Sequence, residues 1–382
     1  MKLLFVNHLL DPVSGGGTAE RTFQLARFRA LAGDDCTILT LDIGLSAAPS
    51  VPGLRVHALP SLNNRFFLPF AKPGEIRRLV RAADVVYLSG HWTVLNALVY
   101  RACRRLRKPF IFCPAGALKP FGRSLRIKRL YDWFAGRAIV LGAERCVAIT
   151  EDESADFVAR GLPSACVALI PNGIDPEHYR LDNFEEAVAD FRRIHALGEA
   201  PYLLFLGRLN EIKGPDILLE AFAAVAERFP DINLMLAGPD GGMLSALQAR
   251  VTALGLSARV KFSGFLGGDA KVAALRGAHL LVIPSRREAM SIVVLEAGAC
   301  ARPVLFTDAC GLGALAASGA GVQVQADVRG LAEGLEALLY DLPRLTELSR
   351  LLAAQVEQHY LWRHQAASLG KLCAAVVASD RR

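Results

Sequence analysis

The stretch SRREAMSIVVLEAGA, residues 285–299, is small and apolar after its opening arginines, yet it carries Glu288 and Glu296 eight positions apart. The preceding HLLVIPS reads as a buried strand, RREAM as a loop, and SIVVLEAGACA as a helix with Ser291 at its N-cap. The first amides of a helix have no intrahelical partner and favour an anion, most naturally a phosphate. A carboxylate in a loop or first turns at such a place can accept hydrogen bonds from paired hydroxyls, such as those of a ribose. The spacing also permits a plainer reading, with Glu288 a solvated loop residue and Glu296 a structural hydrogen-bonding partner.

A second constellation, FLGRLNEIKGPDILLEAF, again runs strand, loop, helix. Arg208 and Lys213 fall in the loop, and Gly214 and Pro215 open the helix, where a residue without an amide hydrogen costs nothing. Two cations at one strand end can clamp a diphosphate, Arg through a bidentate fork. Either alone is an ordinary surface charge; together with the carboxylate segment they favour one nucleoside-diphosphate site. The third constellation is PVSGGGTAE, between the first strand and first helix, where Gly16 and Gly17 let backbone approach a ligand at a helix start. The dinucleotide pattern G-x-G-x-x-G is not completed, since Glu20 stands at its last position.

These residues need a scaffold. LLFVN, CTILTL, DVVYLS, PFIFCP, RCVAIT and VALIP are strand candidates, separated by segments such as ERTFQLARFRALA with apolar residues at helical steps. That alternation predicts a parallel sheet covered on both faces. The rhythm stops around PNGIDPEHYRLDNFEEAVADFRRIHALGEAP and resumes with YLLFLG, INLMLAG, RVKFSG, HLLVIPS, RPVLFTD and GVQVQ. We therefore expect two doubly wound α/β domains, at 1–175 and 199–360, a linker at 176–198, and a closing helix at 361–382 whose apolar stripe must pack somewhere. In open sheets of this kind ligands sit beyond the C-terminal strand ends, where all three constellations fall.

The 382 residues are too many for one ordinary core, and about half are apolar, as in a well-packed globular protein. The start MKLLFVNHLLDP reads as a strand, not a secretion signal, and no run reaches membrane-spanning length without charges or several glycines. The eight cysteines are scattered without a Cys-x-x-Cys, which predicts reduced thiols in a cytoplasmic protein. The net charge of +7 is uneven: residues 1–180 hold 24 Lys and Arg against 15 Asp and Glu, and the remainder 20 against 22. The excess gathers in residues 101–137, eleven Lys and Arg with one Asp, so an anionic partner is expected there.

Taken in order, the glycine loop Gly15–Gly17, IPNGID at 170–175, GRLNEIKG at 207–214, AGPDGG at 237–242 and the E-x7-E pair Glu288/Glu296 resemble family 4 of the retaining glycosyltransferases, the group 1 enzymes. The resemblance covers nearly the whole chain. It implies the GT-B fold, with two Rossmann-like domains facing a cleft, the first for the acceptor and the second for a nucleotide sugar, and a last helix returning to the first domain. It implies that Arg208 and Lys213 hold the donor diphosphate, that Met290, Ser291 and Ile292 offer backbone amides to it, that Gly16, Gly17 and Gly238 approach the donor, that Glu296 holds the ribose, and that Glu288 touches the sugar. No Asp-x-Asp occurs, so no metal and no cofactor are expected. The resemblance implies front-face attack, and no protein nucleophile is assigned.

Two positions depart from the family. SGHW and PAGA stand where relatives carry HGxW and PHGM, so Ser89 and Ala115 replace histidines, and His91 is the residue left to compensate. This keeps open a sugar-nucleotide epimerase of the same fold, or a catalytically weak sugar-nucleotide-binding subunit. In the basic belt, cations mix with Phe110, Phe112, Phe121, Tyr131, Trp133 and Phe134. We expect the segment around Arg123–Trp133 to lie on an anionic membrane, at the inner face of the plasma membrane, near a glycan or lipid-linked acceptor in cell-surface polysaccharide or glycolipid synthesis. No nucleic-acid motif accompanies the charge, so nucleic acid is not an expected partner.

Overall fold

The apolar runs form two parallel sheets, each in its own unit. The computed structural model describes residues 1–45, 50–64, 66–120 and 124–380. Phe121 and Arg123 of the basic belt lie outside them. Contacts divide the chain into Met1–Asn172 with Trp362–Arg382, and Gly173–Leu361.

The first unit carries a seven-stranded sheet in the order Leu54–Leu59, Asp35–Leu41, Lys2–Val6, Val85–Ser89, Phe110–Cys113, Arg145–Ala148, Val167–Leu169. Lys2–Val6 is buried from its second residue onward and Val85–Ser89 throughout, because a sheet covered on both faces has no polar side to alternate with. Val6, Leu39, Leu88, Phe112 and Ala148 meet Leu95 and Val99 of the helix Val94–Leu106 in one core. Burying each such side chain contributes about 1.5–3 kcal/mol before the entropy of ordering it. Thr93 starts that helix by accepting the Asn96 amide at 3.1 Å.

The second unit repeats the design with six strands: Val260–Gly264, Asn233–Ala237, Tyr202–Leu206, Leu280–Ile283, Val304–Thr307, Val322–Val324. Leu203, Phe205, Leu234, Leu236, Leu280 and Val282 pack on the helices Pro215–Val225 and Val328–Leu339. In both units the earliest sheet strand is flanked by parallel partners reached in opposite directions, Asp35–Leu41 and Val85–Ser89 in one, Asn233–Ala237 and Leu280–Ile283 in the other. Each sheet therefore has a topological switch point, the place where loops diverge and leave room for a ligand. Two doubly wound α/β domains are what the strand–helix alternation called for.

The stretch 176–198, expected to be a linker, is folded into the second unit as a 3-10 turn, Pro176–Tyr179, and a helix, Phe184–Ile194. Its apolar residue Phe191 is buried against Tyr202, and Arg192 donates to the Ala200 and Gly277 carbonyls. Its three buried apolar side chains, Tyr179, Phe191 and Leu197, are too widely spaced to read as a periodic face. The closing helix Trp362–Asp380 belongs to the first unit and packs on the helix Pro12–Leu31. Its buried residues Trp362, Ala366, Leu369, Cys373 and Val376 recur at three- and four-residue steps, which is the stripe seen in the sequence. Gly370 leaves room for the Arg29 guanidinium, which donates to Ala366 O at 3.4 Å and pairs with Asp34. Arg21, 1% exposed, ties Pro12–Leu31 to the end of the unit by donating to the Ile170 and Pro171 carbonyls and to Asn172.

Candidate functional site

At the switch point of the second sheet, the loop after Tyr202–Leu206 presents Arg208, exposed, and then turns at Asn210, whose Oδ1 accepts the Lys213 amide at 3.0 Å. Gly214 has φ of 68°, and a Cβ there would overlap the Pro284 carbonyl, so only glycine lets this loop close on the neighbouring strand end. Pro215 occupies the first helical position behind it.

The loop after Leu280–Ile283 is braced from two sides. Toward 211–216, the Arg286 amide donates to Ile212 O at 2.8 Å and its guanidinium binds Asp216 bidentately at 2.8 and 2.6 Å. Burial alone would push the Asp216 carboxyl up; Arg286 overrides it and holds the pKa below the usual carboxylate value. Toward 307–310, the Glu288 amide donates to Ala309 O at 2.7 Å and the Ser291 amide to Cys310 O at 3.2 Å.

Glu288 is thereby delivered to the first loop. Its Oε1 lies 2.8 Å from Lys213 Nζ and accepts Ser285 Oγ at 2.6 Å. Ser291 sits at the N-cap of the helix Ile292–Ala299 with extended backbone, but its hydroxyl caps nothing, and among the described residues none hydrogen-bonds its buried Oγ. Since the Ser291 amide is committed to Cys310, the polar group this residue has left to offer is the hydroxyl, beside the Ile292 amide; Met290 is buried in the same loop. Glu296, in the second turn and 8% exposed, joins neither Arg208 nor Lys213. Its Oε1 accepts the Tyr179 hydroxyl at 2.8 Å and Lys271 Nζ at 3.0 Å.

Gly238 closes the next strand end over. Its φ is 147°, and a Cβ would overlap the Gly207 carbonyl, one residue before Arg208. In the turn that follows, Asp240 Oδ1 accepts the Gly242, Met243 and Leu244 amides, and these bonds, that of Leu244 foremost, hold its pKa down.

The first unit has a matching arrangement of its own. Gly16, at φ 55° and ψ −146°, kinks the start of Pro12–Leu31, and Gly16 and Gly17 are exposed. His91 follows Val85–Ser89 and is buried, with Nε2 2.8 Å from Asp132 Oδ1 and Nδ1 without a partner among the described residues. Asp132 also accepts Trp92 Nε1 at 3.1 Å; burial would raise its pKa, and His91, Arg160 and Trp92 together lower it. Ala115 stands in the left-handed region at φ 51°, and the next amide, Gly116, is held by the buried carboxylate of Glu153. Burial pushes the Glu153 carboxyl up against the pull of its two backbone donors, Ile149 and Gly116.

Two family models cover most of the chain: "Glycosyl transferases group 1" matches residues 188–350, and "Glycosyl transferase 4-like domain" matches residues 16–173. The chain belongs to the group 1 glycosyltransferases. D-inositol 3-phosphate glycosyltransferase of Nocardia farcinica is 33% identical over 242 residues, which are 61% of this chain and 53% of that protein. The chain thus spans about half the length of the curated relatives it matches. Among solved structures, Anabaena HepE in complex with UDP and glucose superposes with a TM-score of 0.78 at 20% identity, covering 98% of this chain and all of that one. Sucrose-phosphate synthase of Thermosynechococcus elongatus reaches 0.79 at 20% identity, over 99% of this chain and 100% of its own. These likenesses establish the GT-B class, with a Rossmann-like domain in each unit.

Within this glycosyltransferase frame, several residues of the site were not visible beforehand. Tyr179 lay in the presumed linker, Lys271 reads as one more charge on a helix face, and Ser285 and Asn210 are ordinary loop residues. His8, after the first strand, is pushed down to about 4 by burial and is neutral near pH 7. Among the described residues no cluster of His, Cys, Asp or Glu is placed to hold a metal ion.

Proposed function

We propose that this chain transfers a sugar, with retention and without a metal, from a nucleoside-diphosphate donor held by the second unit to a glycan or lipid-linked acceptor. The observation that carries the reading is the pairing of Lys213 and Glu288 across the switch point, beside a helix start that has an unpartnered hydroxyl. Breaking the anomeric bond puts negative charge on the departing diphosphate. Lys213, Arg208, the Ile292 amide and Ser291 Oγ are the donors assigned to that charge, the kind of stabilisation that is usually the largest catalytic contribution. Glu288 stands ready to exchange Lys213 and Ser285 for a sugar hydroxyl, and Glu296 accepts the ribose hydroxyls. HepE, whose structure contains UDP and glucose, lends the donor class support.

The test is a thermal-shift screen with UDP-, GDP- and ADP-sugars followed by a hydrolysis assay. One donor should stabilise the protein by about 2.7 kcal/mol at a hundred times its Kd and release nucleoside diphosphate. Glu296→Ala should weaken that donor on the order of 10- to 100-fold, the worth of a hydrogen bond to a charged group. Appearance of a new sugar nucleotide in place of free diphosphate would point to epimerase chemistry and overturn the reading.

The acceptor side of the proposal involves a membrane. Along the helix Leu125–Tyr131 and the π-turn Asp132–Gly136, the apolar side chains Leu125, Ile127, Leu130, Trp133 and Phe134 are exposed, Trp133 to 76%. Arg126, Arg129 and Arg137 are exposed among them. Exposed bulky apolar groups interleaved with cations match an anionic lipid surface, where each cation adds about 1 kcal/mol. No described helix is long and apolar enough to cross a bilayer. In flotation, the protein should rise with anionic vesicles at low salt, and the double change Trp133→Ser, Phe134→Ser should cut recovery severalfold. Equal recovery with neutral vesicles would rule out recognition of an anionic surface, and no recovery with either would leave a soluble acceptor. An acceptor on such a surface fits the synthesis of a cell-surface polysaccharide or glycolipid.

A further inference from the structure

Glu296 has a holder of its own that no motif marks. Its carboxylate is nearly buried, and a buried ionised carboxylate is costly unless paired and hydrogen-bonded. Lys271 Nζ, at 3.0 Å, supplies the opposite charge, and the Tyr179 hydroxyl, at 2.8 Å, supplies a neutral donor. Both reach the same oxygen, Oε1, and among the described residues none donates to Oε2. Two donors on one oxygen fix the carboxylate plane and leave its second oxygen to a ligand.

The holder is itself held. Lys271 Nζ lies 3.3 Å from the Tyr179 hydroxyl and 5.3 Å from the centre of its ring. Tyr179 is 6% exposed, and its carbonyl accepts Arg276 Nη2 at 3.0 Å. Lys271 and Arg276 lie on one helix, Gly268–Gly277, so a single element grips both ends of Tyr179 while Tyr179 and Lys271 grip Glu296. A tyrosine hydroxyl and an ammonium converging on one oxygen are more than packing requires, because an apolar pair of the same size would fill this space without desolvating charges.

We propose that Lys271 and Tyr179 are positioning residues for nucleoside recognition: they hold Glu296 by its Oε1 and turn its Oε2 toward the ribose hydroxyls of the donor. This rests on the ribose role of Glu296 stated above. Its consequence is discrimination against nucleotides that lack the 2′-hydroxyl, a property that a merely structural tether of residues 173–179 would not give.

Calorimetric titration with UDP, GDP and ADP and with their 2′-deoxy counterparts tests it on the intact chain, with Tm recorded for every variant. The unsubstituted protein should prefer the ribose form of its best-bound base by roughly 10-fold or more, the worth of one hydrogen bond to a charged group. Lys271→Met, and the milder Tyr179→Phe, which removes one oxygen and keeps the ring, should each shrink that preference at least threefold or so while leaving the deoxy form bound within about twofold. Equal weakening of both forms, or a change in Tm alone, would overturn the proposal and leave the trio a structural tether. Glu296→Ala separates the two levels. If it abolishes the preference while Lys271→Met and Tyr179→Phe retain it, the positioning role alone fails; if Glu296→Ala retains the preference, the ribose reading fails and this inference with it.

Discussion

Lys213→Ala lowers turnover at saturating donor on the order of 10²-fold, the loss typical of removing one preorganised group that receives transition-state charge. The side chain is about one-third exposed, so the ground-state ion pair with Glu288 at 2.8 Å contributes little to stability on its own. Its value arises when negative charge develops on the leaving diphosphate, and the change should therefore appear in kcat more than in donor affinity. Removing the ammonium also leaves Glu288, among the described residues, with the Ser285 hydroxyl alone, at 2.6 Å, and an unbalanced carboxylate beside an incoming diphosphate repels it. Lys213→Arg should recover part of the rate, since it restores charge with a different fork geometry. Single-turnover release of nucleoside diphosphate measures both. An unchanged kcat in Lys213→Ala removes the residue from the site.

The second large effect is structural. Gly238→Ala should cost about 2–5 kcal/mol of stability, combining the strain of a side chain at a glycine-only conformation with a methyl group forced into the Gly207 carbonyl. Neither neighbour can yield cheaply. The Gly238 amide donates to Gly264 O at 2.8 Å, and the Gly207 amide to Ala237 O at 2.9 Å, so both backbones are anchored in the sheet. Relief has to come from the loop that begins at Arg208, and donor binding should weaken along with stability. Gly242→Ala is the control: φ there is 101°, but nothing lies within 4 Å of the added carbon, so it bears conformational strain without the clash. Urea unfolding of both variants isolates the clash. If Gly238→Ala is no more damaging than Gly242→Ala, the close approach of the two strand ends does not matter to the fold.

Much of this arrangement was legible in the residues because it depends on local rules. Tyr202–Leu206 and Leu280–Ile283 are short apolar runs because both sheet faces are covered, and such runs are visible without knowing what covers them. Gly214 and Pro215 mark a helix start by backbone chemistry alone. Placement at strand ends then put Arg208, Lys213, Glu288 and Glu296 on one side of one sheet, since every parallel strand of a doubly wound unit ends on the same edge.

Partner choice was not legible, because it is settled between residues far apart in the chain. Spacing marked Glu296 as a carboxylate in a helix; that Tyr179, 117 positions earlier, and Lys271, 25 positions earlier, would take its Oε1 depends on how three elements pack. The Ser291 amide was counted as available until the turn Asp308–Cys310 brought Cys310 O to it. His91 could be read from its position either as compensating for the missing histidines or as structural, and folding placed its ring in the core beside Asp132. The amino-acid order alone determined the family, the two α/β units and the strand-end position of the charged groups, through periodicity and backbone preference acting over a few residues. Only the tertiary structure decided which of those groups are paired, buried or left to offer, because hydrogen-bond partners and desolvation are properties of the packed chain and not of any segment within it.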